Sequence, residues 1–166
     1  MIKNKPWLAV GMSLIELMIS VAILSILLAI AAPDMISLYR DSRLSSQSDL
    51  LVTSLNSARL EAIKQKQDVT LCPVDNANTA TACSTASSNW SKGWIIMQGT
   101  TVLQRFVVQK DVVVSMLNTG VVFNSTLGSS TAAASFTLCS TGRKQQIITV
   151  SLSGHISKSI SSTVCS

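Results

Sequence analysis

The sequence predicts an α+β protein in which one long N-terminal α-helix packs on an antiparallel β-sheet domain. Three observations carry that expectation. The chain opens with an apolar run of membrane-spanning length, the run passes directly into a stretch with helical periodicity, and beyond residue 68 the chain breaks into short β-branched segments punctuated by glycine. At 166 residues there is room for one domain of ordinary size.

Residues 12–32 form the apolar run, 21 residues where ~20 suffice to cross a bilayer as helix. Mean hydropathy is +0.42, yet from Ala77 onward Ser, Thr, Asn and Gly crowd the chain, so the apolar character is concentrated at the front. Lys3 and Lys5 lie on the short N-terminal side, which places that end in the cytoplasm and everything after Ala32 outside it. A secretory signal would show a shorter apolar stretch followed by a small-residue cleavage site; here Gly11 comes before the run. Within the run stands one carboxylate, Glu16. A charged side chain in hydrocarbon costs roughly 2.5–3.5 kcal/mol even on the insertion scale, so Glu16 demands a partner.

Residues 33–67 continue the helix in amphipathic form. Leu44, Ser48, Leu51, Leu55, Ala58 and Ala62 recur at alternating spacings of four and three, one face of a helix, while Arg40, Asp41, Arg43, Arg59, Glu61 and Lys64 decorate other faces. Pro33 is expected to kink the helix rather than end it, and the helix to persist to about Lys66.

Strands are expected at residues 69–72, 94–98, 101–108, 112–116, 121–124, 135–139, 146–152 and 156–160. Gly99 and Gly154 read as hairpin turns, and residues 79–91 as the one low-complexity loop. The economical arrangement is a single antiparallel sheet on the exported half of the helix.

Cys72, Cys83, Cys139 and Cys165 all follow the apolar segment and form no close Cys-x-x-Cys pair, so they read as disulfides rather than a metal site. Four cysteines allow three connectivities. Cys72–Cys83, closing a short polar loop, and Cys139–Cys165, tying down the C-terminus, are favoured, without the spacing excluding the others.

Little in the sequence supports catalysis. His155 is the lone histidine and sits beside a turn glycine, no Gly-x-Ser-x-Gly elbow or phosphate-binding glycine loop is present, and no cofactor or metal is implied. Trp90 and Trp94 flank Lys92 in "WSKGW"; stacking on bases is one reading, but Trp94 at a strand entry reads as core.

The stretch Gly11-Met12-Ser13-Leu14-Ile15-Glu16 resembles the type IV prepilin motif, with Met12 and Ser13 where Phe and Thr are usual. The resemblance implies cleavage after Gly11 by a prepilin peptidase, methylation of the new N-terminus at Met12, and pairing of Glu16 with the N-terminal ammonium of a neighbouring subunit. Pro33 falls where long pilin helices bend. Further on, "LNSARLEAIKQKQDVTLCP", "WSKGWIIM" and "FTLCSTGR…IITVSLSGHIS" look like the GspH/FimT family of minor pilins and pseudopilins. The fold implied is type IV pilin-like. The domains are then 1–11 as leader, 12–32 as the transmembrane half of the helix, 33–67 as its amphipathic half and 68–166 as a β-rich head.

Charge marks one further feature. Thirteen basic and eight acidic residues give +5, and loss of Lys3 and Lys5 with the leader leaves eleven against eight, or +3. No acidic residue follows Asp111, whereas Arg143, Lys144 and Lys158 do. Family members that capture DNA resemble one another in a Gly-Arg-x-Arg motif. Gly142-Arg143-Lys144-Gln145 and Gly154-His155-Ile156-Ser157 match it only in part, so Arg143, Lys144 and Lys158 are candidates for non-specific phosphate contact.

The resemblance therefore implies a non-catalytic minor pilin of the priming or tip complex, first a single-pass protein of the bacterial inner membrane with its head in the periplasm, then part of the pilus. Its partners are other minor and major pilins, the prepilin peptidase and the membrane. A DNA-binding minor pilin for natural transformation, taking double-stranded DNA non-specifically, and a type II secretion pseudopilin are the alternatives.

Overall fold

The computed structural model describes residues 13–166, so the expected processing site at Gly11 and Met12 lies outside the described residues. The chain divides into two compact units, Met1–Leu38 and Tyr39–Ser166, and a single helix α1 (Leu14–Gln65) contributes to both.

In the first unit every side chain over residues 13–32 is exposed. A helix apolar on all faces is suited to lipid or to burial among partners. Its serines do not spoil that character: Ser20 Oγ donates to the Glu16 carbonyl at 2.7 Å and Ser25 Oγ to the Val21 carbonyl at 2.8 Å, so each hydroxyl is satisfied within the helix. Pro33 lies inside the helical span.

The second unit adds eight strands: β1 (Val69–Pro73), β2 (Gly93–Gln98), β3 (Thr101–Val107), β4 (Val113–Ser115), β5 (Val121–Phe123), β6 (Ala134–Cys139), β7 (Lys144–Val150) and β8 (Ile156–Val164). Each expected strand is present, but they build two four-stranded sheets rather than one. The orders are β3-β2-β1-β5 and β4-β6-β7-β8, antiparallel throughout. Local alternation reveals a strand and not its partner. Here β4 leaves its sequence neighbour β3 to pair with β6, while β5 returns to β1. β7 starts and stops two residues before its expected bounds and β8 runs four residues further, because residues 151–155 form the turn between them, with Gly154 at φ 77°.

Both sheets and the helix share one core. Leu44, Leu51, Leu55, Ala58 and Ala62 of α1 meet Leu71, Trp94, Ile96 and Phe123 of one sheet and Phe136, Leu138, Ile148 and Val150 of the other. All six positions of the periodic helix face, Ser48 included, are buried. A smaller cluster of Cys72, Val74, Ala77, Ile95 and Met97 covers the opposite face of the first sheet, which explains the unbroken apolar run of β2: it is buried on both sides. Gly93 opens β2 at φ 143°, and a Cβ there would stand 2.4 Å from the Phe106 carbonyl oxygen, so no other residue fits. The expected loop over residues 79–91 contains a short 3-10 helix, Ser87–Ser91, that drives Trp90 into the core.

Candidate functional site

Three places hold the residues singled out from the sequence. The first is the start of α1. Glu16 sits in the first helical turn, where the unpaired backbone N–H groups carry partial positive charge and favour a carboxylate. Its neighbours Leu14, Ile15, Leu17 and Met18 are all more than half exposed, so the charge stands in an apolar surface.

The second is the pair of disulfides. Cys72 is bonded to Cys83 with Cα atoms 5.5 Å apart, and Cys139 to Cys165 at 5.6 Å, the two pairs favoured from the sequence. The latter anchors the C-terminus beside the β6–β7 turn: the Gly142 N–H donates to the Cys165 carbonyl at 3.0 Å, and the Cys165 N–H to that of Arg143 at 2.8 Å.

The third is the basic set. The structure does not present it as three free cations. Arg143 forms a bidentate ion pair with Asp41 of α1, donating from Nε and Nη2 to the two carboxylate oxygens. Lys158 Nζ is 2.6 Å from Asp49 Oδ1, one further stretch along the same helix. Lys144 is exposed and has no ion pair among the described residues. Asp41 was legible only as helix decoration and Asp49 was not singled out at all, because partners about a hundred positions apart in sequence leave no local signal. Lys158 also stands apart from Arg143 and Lys144: it pairs with Ile148, whereas Lys144 opens β7 opposite Val164.

The tryptophans are structural. Trp90 and Trp94 are fully buried, Trp90 Nε1 donating to the Asn118 carbonyl and Trp94 Nε1 to Ser54 Oγ, each at 2.9 Å. Neither offers a face to a base. His155 is exposed in the β7–β8 turn, its backbone N–H donating to Ser151 Oγ at 3.1 Å. Among the described residues no cluster of His, Cys, Asp or Glu could hold a metal ion. One cavity of about 540 Å³ is lined by Met116, Leu117, Asn118, Ala133, Ala134, Ser135, Thr149, Val150 and Ser151, and contains no side chain that titrates near neutrality.

Comparison with known proteins matches two stretches of the chain to family models. The family model described as Type II transport protein GspH matches residues 47–154, from the buried face of α1 to the β7–β8 turn. The prokaryotic N-terminal methylation motif matches residues 11–32, the glycine and the apolar run. Two crystal structures of the type IV minor pilin FimU from Pseudomonas aeruginosa share the fold. One matches at TM-score 0.55 and 17% identity, over 69% of this chain and 91% of that one; the other at 0.55 and 16%, over 72% and 90%. Comparison with curated proteins finds no match. An exposed apolar helix bearing the methylation motif, joined to a two-sheet domain that the GspH model covers, identifies the chain as a member of the GspH/FimT family with a type IV pilin-like fold.

Proposed function

We propose that this chain is a non-catalytic subunit of a type IV pilus, one of the minor pilins that prime assembly or cap the tip. The observation that carries the reading is the surface of residues 13–32: apolar but for three serines and exposed on every side, with Glu16 its one acidic group. Such a surface is satisfied by lipid before assembly and by other pilin helices after it. In this reading the leader of residues 1–11 is removed by a prepilin peptidase, Met12 is methylated, and the new ammonium of a neighbouring subunit neutralises Glu16. Two charges costly alone in hydrocarbon then compensate each other, which favours the polymer over the monomer. Pro33 supplies a bend between the membrane half of the helix and the half that belongs to the head. The protein begins as a single-pass inner-membrane protein, N-terminus in the cytoplasm and head in the periplasm.

The test is Glu16→Ala. Membrane insertion is expected to be unchanged, while the amount recovered in sheared filaments falls roughly tenfold or more, as loss of a compensating charge in a buried pair implies. Wild-type recovery in filaments overturns the pairing. The match to a type II transport family keeps a secretion pseudopilin as the neighbouring reading, and purification of the filament that contains the chain separates the two.

DNA capture is a second reading, favoured by one observation: Arg143 in the β6–β7 turn and Lys144 at the start of β7 are adjacent, and Arg40 also reaches that turn through the Thr141 carbonyl. Arg143 and Lys158 are held by Asp41 and Asp49, so double-stranded DNA would have to displace two carboxylates to reach them. Gel-shift titration against salt decides it. Three phosphate contacts give a log-log slope of roughly −2 to −3, and Asp41→Asn with Asp49→Asn should tighten binding. No retardation at low salt removes this reading.

A further inference from the structure

Five cations gather at one end of the second unit. Arg40 and Arg43 lie in its first helical turns. Arg40 donates to the Thr141 carbonyl at 3.5 Å and Arg43 to the Lys110 carbonyl at 3.3 Å, which brings the β6–β7 turn and the β3–β4 loop to the same place. Arg143 and Lys144 leave that turn, and Lys110 lies in that loop. Among the described residues the carboxylates that oppose them are Asp41 and Asp111, already engaged by Arg143 and by Arg43 at 3.4 Å. Arg40, Lys110 and Lys144 have no carboxylate partner among the described residues. Residues 39–166 carry eleven basic and six acidic groups, net +5, and this end holds five against two, or +3 of it. Lys64 and Lys66 sit at the far end of the helical stretch, 24 and 26 residues beyond Arg40 and so roughly 36–39 Å away, several Debye lengths at physiological salt.

The shape of this end suits one occupant. A recess of about 540 Å³ sets Lys144 and the Arg143–Asp41 pair against Ile160 and Val164, which are 66% and 57% exposed, so charged and apolar groups share one depression in which Lys144 is the cation without a carboxylate partner among the described residues. On the other flank the Arg43 guanidinium lies 4.5 Å over the Tyr39 ring, an aromatic and a cation of the kinds that settle at a membrane interface. The covalent chain limits how far this end strays from the bilayer. Tyr39 follows Ala32, the last residue of the apolar run, by seven residues, a reach of at most about 25 Å even fully extended.

We propose that this basic end docks on anionic phospholipid headgroups of the bilayer that holds residues 13–32, keeping the head against the membrane until assembly. The proposal rests on the reading of that segment as a membrane anchor. Headgroup phosphates face Arg40, Lys110 and Lys144, which need give up no internal ion pair, and Ile160 and Val164 meet the glycerol region. Each cation near an anionic surface strengthens the contact severalfold, and salt weakens it.

Hydrogen exchange of the full chain tests it, in nanodiscs of phosphatidylcholine alone and of phosphatidylcholine with about a third phosphatidylglycerol. Amides of residues 108–112 and 140–145 are expected to exchange roughly tenfold more slowly in the anionic discs, high salt reversing the effect. The triple variant Arg40→Gln, Lys110→Gln, Lys144→Gln should lose that protection, whereas Lys64→Gln with Lys66→Gln should keep it. Equal exchange in both lipids, or loss of protection in the distal variant as well, overturns the proposal. A chain that associates with neither disc overturns the anchor reading instead. Lipid-indifferent exchange with salt-sensitive DNA retardation that the triple variant abolishes assigns the same cations to nucleic acid.

Discussion

Ser54 is a small side chain on which a large one depends. Its Oγ donates to the Leu51 carbonyl at 2.9 Å and accepts from Trp94 Nε1 at 2.9 Å, with both residues buried. Ser54→Ala leaves the indole N–H without an acceptor, at a cost of about 1–3 kcal/mol. In a Trp94→Phe background the same change should cost much less, and a double-mutant cycle by urea denaturation measures the difference. Glu61 offers a titration at this scale. A hydrogen bond from Gln65 Nε2, at 2.7 Å, and the nearby Lys64 ammonium hold its carboxyl below the ordinary carboxylate range. A depressed folded value means its contribution is present at neutral pH and lost as pH falls through that value. Gln65→Ala should therefore move the Glu61 titration upward in carbon-detected NMR; an unmoved midpoint discounts the hydrogen bond as the main cause. The ion pairs Arg143–Asp41 and Lys158–Asp49 are partly exposed, and pairs of that kind contribute at most about 1 kcal/mol, so their interest lies in which cations they occupy.

At the scale of elements, β8 shows how a short covalent link governs a long strand. It is an edge strand of nine residues, most of them exposed, paired to β7 alone. Its far end is closed by the Cys139–Cys165 bond across 26 residues. Loop-closure entropy gives such a bond about 3–4 kcal/mol. Replacing both cysteines with serine should lower stability by that amount and speed hydrogen exchange over residues 160–165 before it affects β6, which two strands flank. Uniform acceleration across both strands would show the link acting globally. The helix is the element read most fully from sequence: the four-three spacing marks the buried face, and each of its six positions is buried. Strand positions were also legible, because β-branched runs between glycines are local signals. Their division into two sheets was not, since it depends on which edges meet after the helix has taken its side of the core.

For the molecule as a whole, the two units present different surfaces. Residues 13–32 bury none of their side chains, whereas residues 39–166 enclose the core that joins both sheets and the helix. A chain beginning at Tyr39 is expected to be water-soluble without detergent and to unfold in one cooperative transition, by calorimetry or circular dichroism with coincident midpoints. Aggregation of that fragment would show the head depends on the apolar segment. The family was legible at this scale too, because the prepilin-like stretch and the apolar run are contiguous in sequence, and the methylation-motif match covers residues 11–32.

Sequence alone determined what depends on neighbours along the chain: the membrane-length segment, the amphipathic helix face, the eight strands and the family. Tertiary structure decided what depends on distant residues. It split the strands into two sheets, withdrew both tryptophans into the core, and set Asp41 and Asp49 against Arg143 and Lys158 while leaving Lys144 without a carboxylate among the described residues. The physical reason is range. Periodicity and turn chemistry act over a few residues, whereas charge pairing and sheet edges are settled only when segments a hundred residues apart share one surface.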